Sequence, residues 1–152
     1  MAAINEVLDI DLIDLNMDLT EKESIIKELS RKFLDQGVIS DLKKFVEDVF
    51  LREKEGITGI GNHVAIPHGK SDSVKKPAIA IGKTNEMIEW ESYDEQPVNL
   101  VFLIAAPMGK EGSEEHLKML AQIAVKLSDN DTLQLLLKSK NEREFMDFLC
   151  KD

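Results

Sequence analysis

The eight residues Val98 to Ala105, VNLVFLIA, constrain this chain more than any other segment. Strand side chains alternate between two faces, so a nearly unbroken apolar run is buried only if both faces of its sheet are covered. Ala78-Ile79-Ala80-Ile81 has the same texture, and Val64-Ala65-Ile66 reads as a third buried strand halted by Pro67. Ile10 to Leu15 is a fourth candidate, with Leu12, Ile13 and Leu15 apolar. No apolar run approaches the roughly 20 residues needed to span a bilayer.

Helical periodicity supplies the covering layers. Thr20-Glu21-Lys22-Glu23 has the pattern of a capping box, opening a helix with Ile25, Ile26, Leu29 and Phe33 on one face and Gly37 placed to end it. Ser40 is expected to cap a second helix, striped by Leu42, Phe45, Val46, Val49 and Phe50. After the turn Pro107 to Gly112, Ser113 is expected to cap a third, with Leu117, Leu120, Ala121, Ala124 and Leu127 facing inward. A fourth starts near Asp129 to Asp131 and carries Leu133, Leu136 and Leu137. Asn141 with Glu144 caps a last one containing Phe145, Phe148 and Leu149. Two helices, then strands, then three helices predict an α/β fold: a single mixed β-sheet flanked by helices on both faces, a three-layer sandwich. No repeat or linker interrupts the chain, so one domain is expected over residues 1–152.

Composition narrows the partners. With 29 acidic against 19 basic residues, a formal net charge of -10 and no dense basic stripe, the surface repels nucleic acid and anionic membranes. The N-terminus, MAAINEVLDIDLIDLNMD, has neither the basic region nor the apolar core of a signal peptide. The lone Cys150 cannot form an internal disulfide, which suits a reducing compartment. A cytoplasmic protein without direct membrane insertion is expected.

The chemistry rests on histidines. His68 stands in Ala65-Ile66-Pro67-His68-Gly69, just past an expected strand end, with Pro67 fixing the backbone and Gly69 freeing it again. Such a rim position is where α/β sheets place ligands and reactive groups. Imidazole is a capable nucleophile at neutral pH, and a backbone carbonyl on one nitrogen aims the lone pair of the other. His116 is placed in the first turn of the Ser113 helix, on the stripe of Leu120, Ile123 and Leu127. A helix N-terminus favours an anion such as a phosphoryl group, although a histidine there can also simply cap its own helix.

Arg52-Glu53, then Thr58-Gly59-Ile60-Gly61-Asn62, then Val64 to Gly69 resembles the active-site signature of a known family. It is the IIA component of the phosphoenolpyruvate-dependent sugar phosphotransferase system, fructose/mannitol class. The family's second signature, a histidine opening a helix followed by leucines, is matched by Glu115-His116-Leu117-Lys118-Met119-Leu120-Ala121. The resemblance implies a mixed sheet with helices on both sides and a phosphoryl carrier. The phosphocarrier protein HPr would load His68 on Nε2, and a cysteine of a IIB protein or domain would unload it. Arg52 and His116 would flank the phosphorylated histidine. No cofactor and no metal is implied.

Two features stay open. His63 occupies a position where the family usually carries a small residue, commonly glycine, and is either a tolerated neighbour or part of the site. Met108, on the glycine-containing turn, is either a rim residue for docking partners or a core residue. A zinc site built from His63, His68 and His116 is disfavoured: an odd spacing of five puts strand residues on opposite faces, and Pro67 excludes a helix. A regulatory IIA-like protein of the nitrogen type would use the same His68 chemistry with different recipients. Cys150, ending a C-terminal helix, is read as structural or incidental rather than as a IIB-type cysteine.

Overall fold

In the computed structural model, which describes residues 7–150, the apolar run forms the first eight residues of a ten-residue strand covered on both faces. The elements in chain order are β1 (Ile13–Met17), α1 (Lys22–Asp35), α2 (Leu42–Glu55), β2 (Gly59–Gly61), β3 (Val64–Ala65), β4 (His68–Ser71), β5 (Ala78–Ile88), β6 (Val98–Pro107), α3 (Lys110–Ser128), α4 (Asn130–Leu137) and α5 (Glu142–Cys150). The sheet order is β1-β5-β6-β3-β2, with β4 also paired to β6. It is mixed: β1 runs parallel to β5, β5 antiparallel to β6, and β3 and β4 parallel to β6.

The alternation of β6 explains its composition. Val101, Leu103 and Ala105 face one buried cluster with Ile25, Leu29 and Phe33 of α1 and Phe45 and Val49 of α2. Leu100, Phe102 and Ile104 face the other, with Ile123 and Leu127 of α3, Leu133 of α4 and Phe145 of α5. This is the three-layer arrangement expected from the sequence.

Helix starts are where local patterns misled. α1 begins at Lys22 with Glu21 extended before it and no side-chain cap, so the Thr20 capping box does not form. Glu23 instead pairs with Lys27 at 2.8 Å, while Lys22 is held by Glu53 at 2.6 Å. The cap of α2 is Asp41, whose side chain accepts from Lys44 N–H; Ser40 is taken up by the Ser73 carbonyl instead. α3 begins at Lys110, because Gly109, at φ 98°, lets the chain turn directly out of β6. Ser113 therefore lies inside the helix, and its hydroxyl donates to the Gly109 carbonyl at 3.1 Å. The shifted start also rotates the stripe: Met119, Ile123 and Leu127 are buried, whereas Leu117 is 63% exposed and Ala121 and Ala124 face solvent. Other boundaries followed the sequence. The Gly37 and Val38 N–H groups close α1 onto the Leu34 and Phe33 carbonyls, and Asn141 caps α5 through Glu144 N–H at 2.9 Å. Ile10–Leu12 forms a 3-10 turn before β1 rather than part of the strand.

His63 has a structural explanation. Asn62 and His63, at φ 56° and 66°, are the two central residues of the β2–β3 hairpin. Such a turn demands positive φ at both positions, which is why glycine suits the second. His63 offsets the backbone cost with a 2.8 Å hydrogen bond between Nδ1 and the Pro97 carbonyl. His63→Ala should therefore destabilise the protein by about 1 kcal/mol, keeping the strain and losing the bond. His63→Gly should recover most of that loss in urea denaturation. A glycine variant less stable than the alanine variant would show that the ring, and not the turn conformation, governs this position.

Candidate functional site

β3 and β4 are one strand path with an interruption. Val64 pairs with Leu100 and His68 with Ile104, so the register offset of 36 residues is unchanged across Ile66-Pro67. Pro67 removes a donor but its carbonyl still accepts from Ile104 N–H at 3.0 Å. His68 is thus the first residue of β4, not a residue beyond the strand end, and only 8% of it is exposed. Gly69 is also not a conformational release. A Cβ there would lie 2.7 Å from Phe45 and 2.7 Å from Val49, so glycine is required for α2 to approach the strand.

The period of two then puts His68 and Lys70 on the side of α3 while Gly69 faces α2. The His68 and His116 rings meet with centroids 4.3 Å apart and planes inclined at 46°. Arg52, in the last turn of α2, reaches the same place. Together with Asp48, Leu51, Glu55 and Lys70 these residues line a cavity of about 320 Å³. All three residues expected from the sequence converge here, and His63 does not line this cavity.

Polar atoms in the cavity are incompletely paired. His68 Nδ1 lies 3.3 Å from the Ile66 carbonyl. Donation from Nδ1 to that oxygen leaves the lone pair on Nε2. Arg52 Nη1 and His116 Nε2 are buried without a hydrogen-bond partner, an arrangement that is costly unless a ligand satisfies it. An anion with several acceptor oxygens would do so. Burial, the neighbouring His116 and the Arg52 charge lower the His68 pKa to about 4, so its ring is a neutral nucleophile at pH 7. His116 is also held below the ordinary range, by burial and then by the charges of Lys70 and Arg52.

Two sequence expectations change in detail. His116 is the seventh residue of α3, in its second turn, so its depressed pKa comes from burial and cations rather than from the helix terminus. The first turn of α3 begins with Lys110, Glu111 and Gly112, about one turn earlier than expected. Met108 is 52% exposed on the loop before α3 and is not a core residue. Lys70 was missed. Its ammonium donates to Ser113 Oγ, and the available signal was its position two residues after His68 on a strand. Cys150 packs against the second apolar cluster, and burial pushes its thiol pKa up, which suits an inert residue. Among the described residues no helix is long and apolar enough to cross a membrane.

Comparison with known proteins agrees with this fold. The family described as "Phosphoenolpyruvate-dependent sugar phosphotransferase system, EIIA 2" matches residues 6–152. The chain belongs to this family. Among IIA relatives, the PTS system fructose-specific EIIABC component of Bacillus subtilis is 36% identical over 96% of this chain, which spans only 23% of that protein's length. The nitrogen regulatory protein IIA-Ntr of Neisseria meningitidis superposes with a TM-score of 0.88 at 30% identity, covering 96% of this chain and 98% of that one. The Escherichia coli enzyme IIAMTL, solved in complex with phosphorylated enzyme IIBMTL, shares the fold at a TM-score of 0.77 and 21% identity, over 91% of this chain and 94% of that one.

Proposed function

We propose that this IIA protein carries a phosphoryl group on His68 Nε2, loaded by phospho-HPr and unloaded onto the cysteine thiolate of a IIB component for sugar uptake. The observation that carries this reading is the pair of buried, unpartnered nitrogens, Arg52 Nη1 and His116 Nε2, in the cavity that a neutral His68 also lines. In loading, the N–P bond on the donor histidine breaks as the His68 N–P bond forms. In unloading, an S–P bond forms and His68 returns to neutral imidazole. Transfers of this kind rest on positioning and charge stabilisation more than on covalent help. The Arg52 guanidinium would hold phosphoryl oxygens with forked, charged donors. His116 would donate to another oxygen without carrying the phosphoryl group. A cytoplasmic location follows from these partners.

The test is a transfer assay with phosphoenolpyruvate, enzyme I, HPr and a panel of IIB proteins, the labelled residue being located by mass spectrometry. Label on His68 that discharges to a IIB cysteine is expected; label elsewhere, or none, rejects the reading. NMR titration supplies a second check. Because burial and then the charges of Lys70 and Arg52 depress His116 in the unloaded protein, a phosphoryl dianion beside it should raise its pKa. An unchanged value would leave His116 outside the phosphoryl shell.

The similarity to IIA-Ntr at a TM-score of 0.88 favours a second reading, a regulatory protein that reports its phosphorylation state. It shares the loading step and differs in the recipient. Phospho-His68 that no IIB cysteine discharges would select it.

A further inference from the structure

Arg52 sits on α2 and His68 on β4, and their separation must be fixed by something that joins those elements. The neighbouring Glu53 is nearly enclosed, with 6% of its side chain exposed. Its Oε1 accepts from Lys22 Nζ at 2.6 Å and from the Thr58 hydroxyl at 2.9 Å. Thr58 Oγ1 in turn accepts from Trp90 Nε1–H at 3.0 Å, and Lys22 Nζ lies 4.8 Å from the centre of the Trp90 ring. The Thr58 carbonyl accepts from Ile66 N–H at 2.9 Å, and the Ile66 carbonyl is the partner of His68 Nδ1. A path of hydrogen bonds of 2.9, 2.9 and 3.3 Å, joined through the Thr58 and Ile66 backbone, therefore runs from the last turn of α2 to the imidazole. The path begins outside the cavity, whose lining does not include Glu53, and ends on His68, which does line it.

We infer that Glu53 is a positioning residue for phosphoryl transfer, acting through Thr58 and Ile66 to hold the His68 ring and the Arg52 guanidinium in one fixed relation. The inference rests on the function proposed above. Its physical basis is that Oε1 of this buried carboxylate takes both the hydroxyl and the ammonium while Oε2 has no partner, so losing either Oε1 bond would leave the desolvated charge still less satisfied. Misplacement of reacting groups by about 1 Å costs up to about 100-fold in rate.

The experiment compares Glu53→Gln and Glu53→Ala, alone and with Arg52→Ala, measuring kcat and KM for loading by phospho-HPr on the folded fraction. The single tryptophan reports whether the network has changed. Glu53→Ala should lower kcat at least about tenfold with KM unchanged, because the residue is remote from a docking partner. Glu53→Gln keeps an acceptor for Thr58 and should stay within about threefold. In the Arg52→Ala background the alanine substitution should cost much less than it does alone, since both changes disturb one unit. A full, independent loss in both backgrounds, or glutamine as impaired as alanine, overturns the inference. If wild-type protein accepts no phosphoryl group, the proposed function fails, and NMR of unloaded protein decides this point separately. The chemical shift of the His68 Nδ1 proton should change in Glu53→Ala, and an unaltered resonance would reject the positioning role.

Discussion

His68→Ala is expected to reduce phosphoryl acceptance by at least about 10³-fold while the protein remains folded at neutral pH. Among the described residues that line the cavity, His68 combines a neutral ring nitrogen with the Arg52 donor and the adjacent His116 ring. His116 is assigned the donor role instead: with its Nε2–H directed to a phosphoryl oxygen, that nitrogen offers no lone pair to attack phosphorus. The fold should survive because the ring borders an open cavity and alanine suits the strand position beside Ile104. Stability should also respond to pH. With its pKa lowered to about 4 in the folded protein against 6.5 ordinarily, His68 binds its proton first in the unfolded chain. Stability is therefore intact above pH 6.5 and is lost as pH falls from 6.5 to 4, by up to about 3 kcal/mol from this residue. Urea titrations at pH 7 and pH 4.5 should show a smaller difference for His68→Ala than for the wild type. Equal pH dependence, or normal loading of the variant, would remove His68 from the role assigned to it.

The largest stability effect should come from Gly69→Val. Phe45 and Val49 are fully buried, and even a Cβ would come within 2.7 Å of both. The Phe45 ring is itself braced edge-on by Phe33 at 5.6 Å, so it cannot simply rotate away. Overpacking of this kind costs about 3 kcal/mol, and for a chain of this size that lowers Tm by roughly 10 °C. The relief available to the molecule is to push α2 off β4, and α2 carries Arg52. Loading per folded molecule should then fall about 100-fold as well. Calorimetry with a loading assay on the same sample checks both parts. A variant with wild-type stability would mean that α2 and β4 are less closely packed than described, and one with lost stability but full loading would uncouple Arg52 from that contact.

The residues of the site were legible because their constraints are local or repetitive. Pro67 before His68 and the apolar stripe through His116 each leave a mark within a few positions. The sandwich was legible for the same reason, since burial on both faces forces the composition of Val98 to Ala105 and amphipathic stripes force the helices. What could not be read were features fixed by residues distant in sequence. Thr20, Ser40 and Ser113 all have the chemistry of helix caps, and none serves as one. Lys22 is held by Glu53, Ser40 by Ser73, and Gly109 starts α3 before Ser113 is reached. Lys70 joined the site only because the register of β4 against β6 and the start of α3 place it beside Ser113. Gly69 looked like a hinge and is a contact, because the sequence contains no measure of how closely Phe45 approaches it. Periodicity alone determined which residues face inward. Tertiary packing decided which of the inward and rim residues touch, since hydrogen bonds, ion pairs and steric limits act over a few ångströms between segments the chain keeps tens of residues apart.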